Sequence, residues 1–205
     1  MPRLESSIRG HLSPVLKSDG FLGSGRTFRR LTGDFIHVVN VQGSRYGGMF
    51  AVNLGIQPRY IPDENGNSPD AAKIEEVLCT FRRRLSEAGS DQWWKHEQSK
   101  ESMDAAVRAA ASVYTTAGRR LFSELSGPES PLHKVTPAQF EAGHYSFSGF
   151  SSTKVRMARS LALMRQSAGD LADASGFARL ALANLGVWQA FRAELEALSS
   201  LKPQA

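Results

Sequence analysis

From residue 20 to residue 94 the chain alternates runs of β-branched and aromatic residues with glycine-bearing breaks, and this pattern limits its fold more than any other feature. GFLGSGRTFRR leads to DFIHVVNVQGS, then to GGMFAVNLGI, CTFRRRL and DQWW. Residues 27–31, 35–42 and 50–56 read as strands. Gly33 and Asp34 separate the first two, and the stretch 43–48 separates the second from the third. Connections this short suit antiparallel hairpins and are too short for the crossover that parallel strands need. A polar break over 57–73 follows, carrying Pro58, Pro62 and Pro69. A fourth strand is expected over about 77–85; a helical stripe through Ile74, Val77, Leu78 and Phe81 is the alternative for that stretch.

Either side of this region the period is helical. Leu4, Ile8, Leu12 and Leu16 recur every fourth residue and predict a helix over 4–17, which Pro14 would shorten. After residue 102 the apolar positions Met103, Val107, Ala110, Tyr114, Ala117, Leu121 and Leu125 form one long stripe, stopped by Gly127 and Pro128. Thr136, Pro137 and Gln139 have the spacing of a capping box with proline in the first turn, and predict a short helix that ends before Gly143. Two or three further helices are expected in the last third, lined by Met157, Leu161 and Met164, then by Leu171, Ala174, Ala178, Ala181 and Leu185, then by Val187, Phe191, Leu195 and Leu198. The stretch GDLADASGFARLALANLG resembles the second helix of a tetratricopeptide repeat. It occurs once, and a repeat array needs about three or more copies to bury its faces, so a helical hairpin packed on the rest of the chain is expected.

The fold class expected is therefore α+β: an antiparallel sheet of about four or more strands, helices on one face, and a helical C-terminal extension. The division expected is an α+β domain over residues 1–130 and a helical extension over 131–205.

Strand parity then sorts side chains onto faces. Val39 and Val41 share one face with Phe35 and His37, and Asn40 and Gln42 share the other with Ile36 and Val38. Phe50, Val52, Leu54 and Ile56 make an apolar face, with Asn53 opposite; Arg82 and Arg84 oppose Cys79 and Phe81. The simplest assembly gathers Asn40, Gln42, Asn53, Arg82 and Arg84 on one polar surface. Amides donate and accept, and guanidiniums are fixed cations with fork geometry, so such a surface suits an anionic or peptide-like ligand or an acidic partner. The bland reading is that these groups satisfy one another and their own backbone. Of the adjacent Trp93 and Trp94, one is expected in the core and the other part-exposed, and Trp94 joins the candidate binding residues.

In order along the chain, Gly20, Phe21, Phe28, Asn40, Gln42, Ser44, Asn53, Leu54, Gly55, Cys79, Arg82, Arg84, Trp93 and Trp94 resemble the pattern of a bacterial domain of unknown function, the one numbered 4304. The resemblance runs from about Phe21 to Trp94. It implies a small α+β domain and brings no activity, substrate or catalytic residue with it.

The remaining signals exclude more than they assign. A net charge of +5 can attract nucleic acid, yet the basic residues are dispersed, and Arg29 and Arg30 must point to opposite faces of a strand. Nucleic acid is thus a possible but unfavoured partner. Cys79 is the lone cysteine, and no long apolar run is present, which points to the cytoplasm and to no membrane. The chain has no Walker lysine, no HExxH, no GxSxG and no metal-ligand spacing, so neither a cofactor nor a metal is expected. His96 and Glu97 are the one acid/base pair near the polar face. The expectation is a non-catalytic binding protein acting through the polar sheet face on a protein partner or on a second copy; an immunity protein to a bacterial toxin is one concrete form. The alternatives are a nucleic-acid binder and an enzyme using His96, Glu97 and the sheet arginines.

Overall fold

A computed structural model describes residues 4–62, 66–89, 91–147 and 149–202. The polar break over 57–73 is therefore described except at 63–65, which lie outside those residues. The chain forms two compact units. One comprises Met1–Pro58 and Asp70–Ser123; the other comprises Arg59–Pro69 and Glu124–Ala205.

The first unit is built on a six-stranded antiparallel sheet. The strands are β1 (Leu22–Ser24), β2 (Thr27–Thr32), β3 (Phe35–Gly43), β4 (Met49–Pro58), β5 (Phe81–Arg84) and β6 (Trp94–Lys95). They pair in the order β1-β2-β3-β4-β5, and β6 pairs with β4 beside Met49 and Phe50. Register places Asn40 opposite Asn53, and Asn53 opposite Arg84. One face accordingly carries Phe28, Val39, Val41, Phe50, Val52, Leu54, Ile56 and Phe81, all buried.

Helices cover that face. The first helical stretch comprises α1 (Leu4–Ser7), a π turn (Ile8–Leu12) and α2 (Ser13–Ser18). Apolar residues spaced strictly by four drift off one face of a 3.6-residue helix, and the π turn absorbs the drift, so Leu4, Ile8, Leu12 and Leu16 are all buried. Pro14 does not shorten the stretch; it falls in the first turn after the π segment, where a missing N–H is tolerated. The long stripe is also broken by a π turn (Tyr114–Gly118), between α3 (Lys100–Val113) and α4 (Arg119–Ser126). The extra residue shifts the buried position from Ala117 to Gly118. There the Tyr114 ring lies where a side chain would be: a Cβ at Gly118 would come within 2.6 Å of it.

Polar groups stitch this core. The Tyr114 hydroxyl donates to Asp19 at 2.9 Å, and Arg119 grips the same carboxylate with two bonds of 2.8 and 2.9 Å. Arg30 donates to the Asp19 carbonyl at 2.7 Å and to His37 Nδ1 at 3.0 Å. His37 stacks on Phe122 at 4.4 Å.

The second unit is helical. It holds α5 (Pro131–Lys134), α6 (Pro137–Glu141), α7 (Lys154–Ser167), α8 (Leu171–Ala183) and α9 (Arg192–Ser199). The capping box at Thr136 forms as the sequence predicts, with Gln139 reaching back to the Thr136 N–H at 3.0 Å. α8 packs between α7 and α9. Buried Arg165 on α7 donates to the carbonyls of Leu132 and Val135. Arg159, also on α7, binds the Glu194 carboxylate of α9 and the carbonyl of Pro62, the latter at 2.9 Å. Val187, expected on the buried stripe of the last helix, is 91% exposed because that helix begins only at Arg192. Among the described residues no helix is long and apolar enough to cross a membrane.

Candidate functional site

The face turned away from α1–α4 carries Thr27 and Arg29 of β2, Ile36, Val38, Asn40 and Gln42 of β3, Asn53, Gly55 and Gln57 of β4, and Arg82 and Arg84 of β5. It falls into a closed half and an open half.

The closed half lies beneath residues 70–80. This segment was expected to begin a strand at about residue 77. It instead makes one 3-10 turn over Glu76–Leu78, and the strand starts at Phe81. Ile74 and Cys79 pack with Ile36 and Val38. Strand parity put Cys79 with Phe81, on the helix-covered side. Because the chain is turning there and not extended, the thiol sits over Gly55 on the opposite side, where an added Cβ would lie 2.7 Å from Sγ. Polar ties hold the segment down. Arg29 donates to the carbonyls of Ile74 and Lys73 at 2.6 and 3.0 Å. Gln57 Oε1 accepts from the Thr80 N–H at 2.8 Å. Arg82 pairs with the buried Glu76 at 2.8 Å. Arg82 thus belongs to the closed half.

In the open half Asn40, Gln42, Asn53 and Arg84 come together. Asn53 Nδ2 donates to Gln42 Oε1 at 3.0 Å, and Arg84 Nε donates to Asn53 Oδ1 at 3.3 Å. A longer contact, 3.4 Å, runs from Arg84 Nη2 to Gln42 Oε1. Asn40 Nδ2 donates to Thr27 Oγ1 at 3.0 Å. The Arg84 guanidinium lies 4.6 Å over the Trp93 ring, and both groups donate to Asp91. Stacking on a ring together with hydrogen bonds from Nε and Nη1 to separate acceptors fixes the plane of the guanidinium. These bonds occupy Gln42 Oε1 and Asn40 Nδ2. Among the described residues, Gln42 Nε2 and Asn40 Oδ1 have no side-chain partner. They leave one donor and one acceptor side by side on an exposed and a half-buried residue.

Trp94 is not part of this group. It is buried and stacks on Phe50 at 5.7 Å, on the helix-covered side. Trp93 is the tryptophan at the polar surface. The two residues differ by one step of parity, and the sequence contains no marker of which step faces β4's polar side. Asp91, which anchors Arg84, carried no signal at all. His96 sits beside Phe50, its Nδ1 donating to the backbone carbonyl of Glu97 at 2.9 Å, away from the arginines. Among the described residues no three His, Cys, Asp or Glu side chains are grouped to hold a metal ion.

Charge is divided unevenly. The first unit has 16 Lys and Arg against 11 Asp and Glu; the second has 9 against 9. The whole excess of +5 therefore belongs to the unit that carries the sheet.

Residues 12–117, just over half of the 205, match the family described as Domain of unknown function (DUF4304). The match takes in every strand of the sheet and α3, and so the whole polar face with Asp91 and Trp93. No curated protein and no solved structure matches the chain.

Proposed function

Since the chain belongs to the DUF4304 family, which has no assigned activity to transfer, its role is to be read from the sheet, and we propose a non-catalytic binding protein that engages a protein partner through the open half of the polar face. The observation that supports this most directly is the pair Gln42 Nε2 and Asn40 Oδ1, which have no side-chain partner among the described residues while Asn53 and Arg84 hold Gln42 and Thr27 holds Asn40. A donor beside an acceptor matches the edge of a peptide group or another carboxamide. Groups fixed before binding lose little entropy when a partner arrives. His96 is spent on a backbone carbonyl on the other side of the sheet.

Capture from the native cell tests this reading. The wild-type chain should retain a protein, or a second copy of itself, that the double variant Gln42→Ala/Arg84→Ala loses. Titration with single- and double-stranded nucleic acid at about 150 mM salt should show only binding in the roughly 10⁻⁴–10⁻⁶ M non-specific range. A nanomolar, sequence-dependent nucleic-acid complex that weakens in the double variant would overturn the proposal.

A further inference from the structure

We infer that the occupant of this face is a second copy of the same chain, related by a two-fold axis; the inference rests on the binding role proposed above and names its partner. Three observations carry it.

The first is where the exposed aliphatics lie. Among the described residues of the sheet unit, the large aliphatic side chains left in solvent are Leu22 at 77%, Leu31 at 52%, Val77 at 52% and Leu78 at 58%. Register sets Leu22 opposite Arg29 and Leu31 opposite Ile36, which places both on the polar side of the sheet. Val77 and Leu78 belong to the 3-10 turn of the segment that lies across Ile36 and Val38. All four are therefore on the side that α1–α4 leave bare. Scattered exposed leucines need no explanation, but four collected on one side mark an interaction surface.

The second is charge. On this face and its covering segment the ions are matched: Lys73 with Asp70, Arg82 with Glu76, and Arg84 with Asp91. Arg29, tied to two carbonyls, is balanced by the exposed Glu75. Four cations against four carboxylates here leave twelve against seven on the rest of the unit. The net positive excess of the unit thus lies outside this face, and two copies meeting through the face would not bring that excess together.

The third is self-complementarity. A two-fold interface requires that each surface carry both halves of every contact. Gln42 Nε2 and Asn40 Oδ1 are a donor and an acceptor on adjacent positions of one face, so each copy can donate to and accept from the other. Arg84 and Asp91 offer the same exchange, with Asp91 64% exposed.

The face is modest in size. Five strands at about 4.8 Å spacing and about seven residues at 3.3 Å span roughly 20 by 25 Å. Against the roughly 800 Å² per partner of a stable complex, this indicates a reversible dimer with a dissociation constant in the micromolar range.

Sedimentation of the full chain between about 1 and 100 μM reads the outcome. The mass should rise with concentration from 22.4 kDa towards twice that value. Leu31→Glu/Leu78→Glu, at exposed positions that leave folding intact, should weaken association at least tenfold. R84D should weaken it as well, and R84D/D91R should restore it by exchanging the ion pair. A mass fixed at 22.4 kDa across the range overturns the inference, as does a dimer indifferent to the two glutamates. If the chain is monomeric yet still loses a captured protein in Gln42→Ala/Arg84→Ala, the face binds a different occupant and only the self-pairing falls. If neither association nor capture depends on the face, both readings fall.

Discussion

His37 lies among valines and is 1% exposed, so its charged form would lose the hydration it has in the unfolded chain. Burial, and then the neighbouring Arg30, pushes its pKa down to about 3. Since a guanidinium can only donate, Nδ1 must accept, and the folded ring is neutral. Between pH 6.5 and about 3 the unfolded chain takes up a proton here that the folded chain excludes. Stability therefore falls as pH drops through that window, by at most about 1.4 kcal/mol per unit, and this group adds no further loss below it. His37→Gln keeps an acceptor for Arg30 and removes the titration. Urea midpoints at pH 7, 5.5 and 4.5 should converge for wild type and variant as the pH falls; parallel profiles would refute the assignment.

At the scale of elements, the covering segment over residues 70–80 is seated by a missing side chain. Gly55 leaves the space that the Cys79 thiol fills, so Gly55→Ala should cost about 1–3 kcal/mol by overpacking. The double variant Gly55→Ala/Cys79→Ala should lose less than the two single variants added together, because the clash is shared. Additive losses in urea unfolding would show that the segment can shift instead. Local sequence pattern stops determining the fold at this same segment. Period two located β2, β3 and β4 and their hairpins, and parity grouped Asn40, Gln42, Asn53, Arg82 and Arg84 on one face, because extended chain has a fixed alternation. Around Glu76–Leu78 the chain is not extended, parity has no meaning, and Cys79 landed on the unexpected side. The π turns at Ile8–Leu12 and Tyr114–Gly118 are similar cases: a one-residue slip leaves the composition of a stripe unchanged and alters only its phase. Division of the polar face into closed and open halves depends on contacts between residues far apart along the chain, 45 positions for Arg29 with Ile74 and 23 for Gln57 with Thr80, that no local pattern encodes.

For the whole molecule, the +5 charge is that of one unit and not of the average surface. Reversing two exposed cations of the sheet unit, Arg45→Glu/Lys95→Glu, removes most of that unit's excess. The same change in the neutral unit, Lys154→Glu/Lys202→Glu, leaves the sheet unit's field intact. On a cation exchanger at neutral pH the first variant should elute at clearly lower salt than the second, although their net charges are equal. Identical elution would mean that the chain presents its charge as a uniform surface.

The division into units also sets an order of events during synthesis. Strands β4 and β5 are neighbours in the sheet, but the chain between them passes through Arg59–Pro69, which belongs to the other unit. The carbonyl of Pro62 is held by Arg159, almost a hundred residues later. A ribosome therefore releases every strand of the sheet well before it releases the helix that receives the excursion between two of them. Until α7 emerges, that excursion is an open loop on an otherwise complete sheet, and the nascent chain is most vulnerable to proteases there, at the junction just after β4.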